Sequence, residues 1–214
     1  MRSKFRSVLV VLVAVLAVSA VAAAAASAHE WKANGVGITT AKAVSSSGGA
    51  FTMTYAGLTI TCQAVTDTGT VEAAGKGKAT SLKFEKCRTG TTGCEVKNEG
   101  GKLGTIEATE IPTLLEEVGG KLVEKFEQKK VGLTKEIVTL EFEGAPCAGT
   151  GYGTGKLKGD MAAEVKNESD GEVKLTFPTT QIPQTPQLEV FGFAFSLTGT
   201  VNEKLVSGEK LTAV

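Results

Sequence analysis

After residue 28, apolar and polar residues alternate at every second position through several runs of the chain. In Leu58-Thr59-Ile60-Thr61-Cys62 the apolar side chains share one parity. Val138, Leu140 and Phe142 alternate with Thr139, Glu141 and Glu143. Leu157, Gly159, Met161, Ala163 and Val165 alternate with Lys158, Asp160, Ala162, Glu164 and Lys166. A period of two places one parity on a buried face and the other in water. A sheet with one wet face is normally antiparallel. Asp170-Gly171 separates Ala163–Asn167 from Glu172–Phe177 and predicts a hairpin. Gly119-Gly120 separates Leu114–Val118 from Leu122–Phe126 in the same way. The Leu, Glu and Lys content of Leu114–Lys130 also favours helix, but the paired glycines interrupt one, so strands are expected. Ser45-Ser46-Ser47-Gly48-Gly49 reads as a loop. Pro178 to Pro186 carries three prolines and reads as an extended crossing. Phe191, Phe193, Phe195, Leu197 and Val201 read as a core strand in preference to an aromatic binding strip. Together these runs predict an all-β protein, an antiparallel β-sandwich or partly open β-barrel of about ten strands.

The first 28 residues do not belong to that pattern. Arg2, Lys4 and Arg6 precede an apolar run from Val8 to Ala26 that closes on Ala26-Ser27-Ala28. This is the layout of a secretory signal peptide, with cleavage expected after Ala28 and retention as an anchor as the alternative. The expected organisation is a leader over 1–28 and one β-rich domain over 29–214, secreted or at the cell surface. No later apolar run is long enough to span a membrane. Without the leader the chain carries 20 basic against 23 acidic side chains, a balance that offers nothing to nucleic acid.

Four cysteines, Cys62, Cys87, Cys94 and Cys147, all follow the leader. In an oxidising compartment an even number predicts two disulfides. Three pairings are open. A bridge from Cys87 to Cys94 across the loop 88–93 is geometrically easy and leaves Cys62 with Cys147 as the long staple, so this pairing is preferred. A metal site is disfavoured, because no C-x-x-C spacing occurs and His29 is the only histidine.

Several short pieces carry a resemblance. They are Glu30-Trp31-Lys32 with Asn34-Gly35, Thr61-Cys62, Gly75 through Cys87, Gly93-Cys94, Gly104-Thr105-Ile106-Glu107-Ala108-Thr109, Val131-Gly132-Leu133, and the Phe142-to-Cys147 strand end. The chain resembles a group of uncharacterised exported proteins common in actinobacteria. No activity attaches to that group, so the resemblance transfers no catalytic residue. The charged Leu114–Lys130 segment departs from its pattern.

Catalytic constellations are scarce. Cleavage after Ala28 would leave His29 with a free α-amine, and such a terminus binds Cu(II). The second histidine that completes the copper site of lytic polysaccharide monooxygenases is missing, so the full site cannot form; an exposed terminal histidine without a metal is expected, with weak copper binding as the alternative. A nucleophilic triad needs a general base, and no G-x-S-x-G occurs. The Gly149–Lys156 run fails the phosphate-loop pattern: Thr150 stands where a glycine is required, and Leu157 replaces the hydroxyl residue. Most glutamates alternate with apolar residues and read as a solvated face. Trp31, Tyr55 and Tyr152 are the candidate ligand contacts, although Trp31 is equally placed to pin the N-terminus to the core.

The expected function is therefore a non-enzymatic exported protein that acts by binding or as structure, without a cofactor and with contact to the envelope or to glycan. A barrel holding a small apolar ligand behind the Phe191–Leu197 strip is one alternative. A carboxylate-dependent glycan hydrolase is the other.

Overall fold

A computed structural model describes residues 29–55, 57–131, 134–148, 153–178 and 188–214. The leader, Tyr152 and most of the proline-rich crossing lie outside the described residues. Strands β1 (Trp31–Ala33) and β2 (Val36–Gly37) form a hairpin. β3 (Lys42–Gly48), β4 (Phe51–Tyr55), β5 (Leu58–Cys62), β6 (Ala64–Val71) and β7 (Lys76–Glu85) follow. Next come β8 (Arg88–Thr89), β9 (Glu95–Asn98), β10 (Thr105–Val118), β11 (Lys121–Phe126), β12 (Lys129–Val131), β13 (Thr134–Glu136) and β14 (Val138–Glu143). A single helical turn, α1 (Ala145–Ala148), precedes β15 (Thr154–Leu157), β16 (Met161–Asn167), β17 (Val173–Phe177), β18 (Glu189–Val190), β19 (Phe193–Leu205) and β20 (Leu211–Ala213).

Eight strands, β3, β6, β7, β10, β11, β16, β17 and β19, make a closed antiparallel barrel. Each pairs with the next in chain order, and β19 closes the ring by pairing with both β17 and β3. The protein is thus a barrel and not a sandwich, and the barrel is closed, not partly open. Closure removes the exposed edges that an open sheet would present.

The connections sort by end. At one end β6 meets β7 through a short 3-10 turn (Ala73–Gly75), β10 meets β11 over Gly119-Gly120, and β16 meets β17 over Asp170-Gly171. Gly119 and Gly120 both have positive φ (60° and 78°), as a two-residue hairpin turn requires. Asp170 Oδ1 accepts from the Glu172 N–H to fix the other turn. The terminal sheet β2-β1-β20 lies at this same end, against the 3-10 turn and strands β16, β17 and β19.

Every long excursion leaves from the opposite end. β4–β5 separates β3 from β6, β8–β9 separates β7 from β10, β12–β15 separates β11 from β16, and β18 precedes β19. The excursions build a cap. β4, β5 and β8 extend the N-terminal half of β19, and β9, β14 and β15 form a small sheet of their own. Gly199 sits where β19 passes from cap to barrel, with the Phe51 ring where a Cβ would project, 2.5 Å away.

Apolar side chains pack the cap end of the lumen. Phe51, Phe84, Phe126 and Phe177 form an aromatic layer at the cap end, with ring centroids 5.4 to 5.6 Å apart. Barrel residues Leu82, Phe84, Ile106 and Met161 and cap residues Val138, Leu140, Leu157 and Leu197 enclose an apolar space of only about 20 Å3. That is room for a single water at most.

Three expectations are corrected here. Ser45–Gly48 is barrel wall, not loop: Ser46 and Gly48 face the lumen, and Gly48 lies so close to Thr200 that a Cβ would stand 2.3 Å from its carbonyl oxygen. The alternating run from Leu157 to Lys166 is two strands, because Gly159 takes a positive φ of 91° between them. The phenylalanine strand is core only from Phe195 onward. Phe193 is exposed, and Phe191 (φ 54°) forms the turn of the β18–β19 hairpin with Gly192.

The two disulfides exist with a different pairing. Cys62 joins Cys87, and Cys94 joins Cys147. The register dictates the first bond. Ala64 pairs with Glu85 and Thr61 with Arg88, so Cys62 falls opposite Cys87. The second bond follows from β9 pairing with β14, which brings Glu95 to Glu143 and Cys94 to the turn that holds Cys147. The loop 88–93 is therefore anchored at each end to a different part of the cap, not closed on itself. Two disulfides are consistent with an oxidising, extracytoplasmic compartment.

Candidate functional site

Among the described residues the cap end carries two surface depressions. One, of about 280 Å3, lies between the outer face of β10 and the β12–β14 excursion, lined by Asn98, Glu99, Glu107, Thr109, Lys129, Glu136, Ile137, Val138 and Thr139. Strand alternation supplies this lining. Glu107 and Thr109 occupy the outward parity of β10, while Ile106 and Ala108 face the lumen. Lys129 Nζ donates to the carbonyl and hydroxyl oxygens of Thr109 at 2.7 and 3.2 Å. Glu136 is buried, accepts from Thr139 Oγ1 at 3.1 Å and meets Lys156 Nζ at 2.8 Å. Glu107 accepts from Ser81 Oγ at 2.6 Å. The cleft thus offers a carboxamide, hydroxyls, carboxylates and one ammonium over a small apolar floor, a donor and acceptor set suited to a small polar ligand.

The second depression, about 530 Å3, follows the loop from Lys86 to Glu95 and the facing Leu103-Gly104. Lys86, Arg88 and three threonines give it a polar, basic rim. Disulfides at both ends of the loop restrain its backbone.

Inside the barrel a third group of polar residues appears. Asp67 on β6, Glu124 on β11 and Glu203 on β19 are buried, at 6 %, 3 % and 2 % exposure. Burial pushes the Asp67 carboxyl up to about 7, against hydrogen bonds from the Thr68 backbone and Ser46. It pushes Glu124 up to about 8, opposed by a hydrogen bond from Thr113 and reinforced by the charge of Asp67. Glu203 rises well above the carboxylate range through burial and then through the neighbouring Glu124 and Asp67. Desolvation penalises the charged form, and like charges add to it.

The predicted site residues fare unevenly. Trp31 is wholly buried on β1, opposite Ala213, where it fixes the terminal sheet to the core. Tyr55 lies on β4, paired in register with Leu58 and Phe195. Tyr152 is outside the described residues. His29 is half-buried, with Nε2 3.8 Å from Glu117 Oε2, at the end of the barrel away from both depressions. Among the described residues no group of three His, Cys, Asp or Glu side chains is arranged to hold a metal ion. No described helix is long and apolar enough to cross a membrane.

The cleft residues carried no distinctive signal in the sequence, since outward Glu and Thr on strands look like any wet face. The buried acids did carry one. Asp67 shares the parity of Val65, Glu124 that of Leu122 and Phe126, and Glu203 that of Val201 and Leu205. An acid on the apolar parity marks a buried carboxyl, and Glu124 and Glu203 are exceptions to the solvated face expected of most glutamates. No protein-family model, no curated protein and no solved structure matches this chain.

Proposed function

We propose that this is an exported, non-enzymatic binding protein whose ligand seat is the polar cleft at the cap end of the barrel. One observation carries the reading: among the described residues the long excursions, both disulfides and the two depressions described above gather at one end of a closed barrel. Binding residues are typically presented on connections held by a rigid scaffold. The leader-like first 28 residues and the resemblance to exported actinobacterial proteins support the extracytoplasmic setting. The lining of Asn98, Glu99, Glu107, Thr109, Thr139 and Lys129 favours a small ligand rich in hydroxyl or amine groups, such as an amino-sugar unit of envelope glycan. A ligand inside the barrel would have to displace packed side chains.

The test is calorimetric titration of the protein with soluble amino-sugar oligomers. Saturable binding is expected, weakened at least tenfold in Glu107→Ala and Lys129→Ala. No heat with any oligomer, or binding indifferent to both substitutions, contradicts the reading. A hydrolase is the second reading, favoured by Glu107 and Glu136 lining one cleft. Against it, Ser81 engages Glu107, while Thr139 and Lys156 engage Glu136. Release of new reducing ends from the same oligomers, abolished by Glu136→Gln, would establish it.

A further inference from the structure

We propose that Asp67, Glu124 and Glu203 form a proton-dependent lock in the barrel lumen: the closed wall holds these carboxyls with their protons on, and rising pH loosens it. The geometry supplies the first argument. Ser46 stands between two of the acids, paired in register with Asp67 on one side and Glu203 on the other. Its Oγ donates to Glu203 Oε2 at 3.2 Å. A hydroxyl carries a single proton, so it donates to one carboxyl only.

The surroundings supply the second argument. Asp67 is flanked by Ser46 on β3 and Leu82 on β7, and Glu203 by Ser46 and Val173 on β17. Glu124 is flanked by Leu115 on β10 and Ala163 on β16, with Thr113 as its hydrogen-bond partner. No lysine, arginine or histidine stands among these neighbours, and no ion pair among the described residues includes any of the three acids. One oxygen of each, Asp67 Oδ1, Glu124 Oε2 and Glu203 Oε1, has no hydrogen-bond partner. Charged oxygens in that position would be severely penalised, whereas protonated carboxyls are tolerated. The aromatic layer closes the lumen toward the cap. Phe84, Phe126 and Phe177 stand two residues capward of Leu82, Glu124 and Leu175.

Each acid holds its proton more tightly in the folded chain than in the unfolded one, where it ionises near pH 4. The lock is complete below that value. It weakens as pH rises through the folded-state values, about 7 for Asp67 and about 8 for Glu124. Surface carboxylates lowered by partners, such as Glu85 beside Lys83 and Glu209 beside Lys42, act in the opposite sense but only at more acid pH.

Urea unfolding of the protein at pH 5, 6, 7 and 8 tests the lock. The folding equilibrium should weaken by up to about tenfold per pH unit for each ionising group. Glu124→Gln and Glu203→Gln should each flatten that dependence, while His29→Gln should leave it in place. Should a variant fail to fold, refolding of the unaltered protein at pH 6 in weak buffer provides the readout, with about three protons taken up per chain. Stability that is flat or rising from pH 5 to 8, or refolding without proton uptake, overturns the proposal.

Discussion

Ser46 illustrates how much a single side chain decides in this molecule. It is a small polar residue on a barrel strand, buried at 5 % exposure, donating to Glu203 and paired in register with Asp67. Gly199 decides packing in a comparable way, because the Phe51 ring occupies the space that a Cβ would need. Gly199→Ala is therefore expected to cost about 1–3 kcal/mol by overpacking, read as a lower urea midpoint at unchanged slope. Gly49→Ala, where a Cβ meets nothing within 4 Å, is expected to stay within about 0.5 kcal/mol of the parent. At this scale the sequence was partly legible. The parity of Asp67, Glu124 and Glu203 marks them as inward, but that three such acids share one lumen depends on strands far apart in the chain. Trp31 was legible as a core residue near the start of the β-rich part, and its register opposite Ala213 follows from the pairing of β1 with β20.

At the scale of elements, local chemistry carried most of the information. Gly119-Gly120 and Asp170-Gly171 make the hairpins their residues call for, because positive φ and the Asx bond are encoded in the turn itself. The serine run misled for the opposite reason: its strand character comes from neighbours, Val65, Asp67 and Glu203, and not from its own propensity. The cysteine pairing was hidden likewise. A short loop between Cys87 and Cys94 suggests a local bridge, yet strand register carries each cysteine to a distant partner. Peptide mapping under non-reducing conditions should recover Cys62 linked to Cys87 and Cys94 linked to Cys147. Replacing Cys94 and Cys147 with serine opens a loop of 53 residues and should cost about 4 kcal/mol in the chain-entropy description. The bridge between Cys62 and Cys87, across 25 residues, should be worth about half a kcal/mol less.

At the scale of the whole molecule, the barrel has two unlike ends. Tight turns and the terminal sheet finish one end, and the excursions build the disulfide-bonded cap at the other. This polarity was not legible beforehand, since closure depends on β19 pairing with β17 and β3 across most of the chain. All-β character was legible throughout, because alternation is a local signal and closure is a global one. An aromatic layer seals the cap end of the lumen, and the proposed ligand seat lies outside it, in the cap. The most direct test is amide chemical-shift mapping of the protein during titration with soluble amino-sugar oligomers. A ligand seat in the cap cleft gives saturable shifts confined to the cap end, on β9, on the Glu107–Thr109 stretch of β10 and around Glu136–Thr139. Shifts concentrated on β1, β2 and β20, or none with any oligomer, would contradict it.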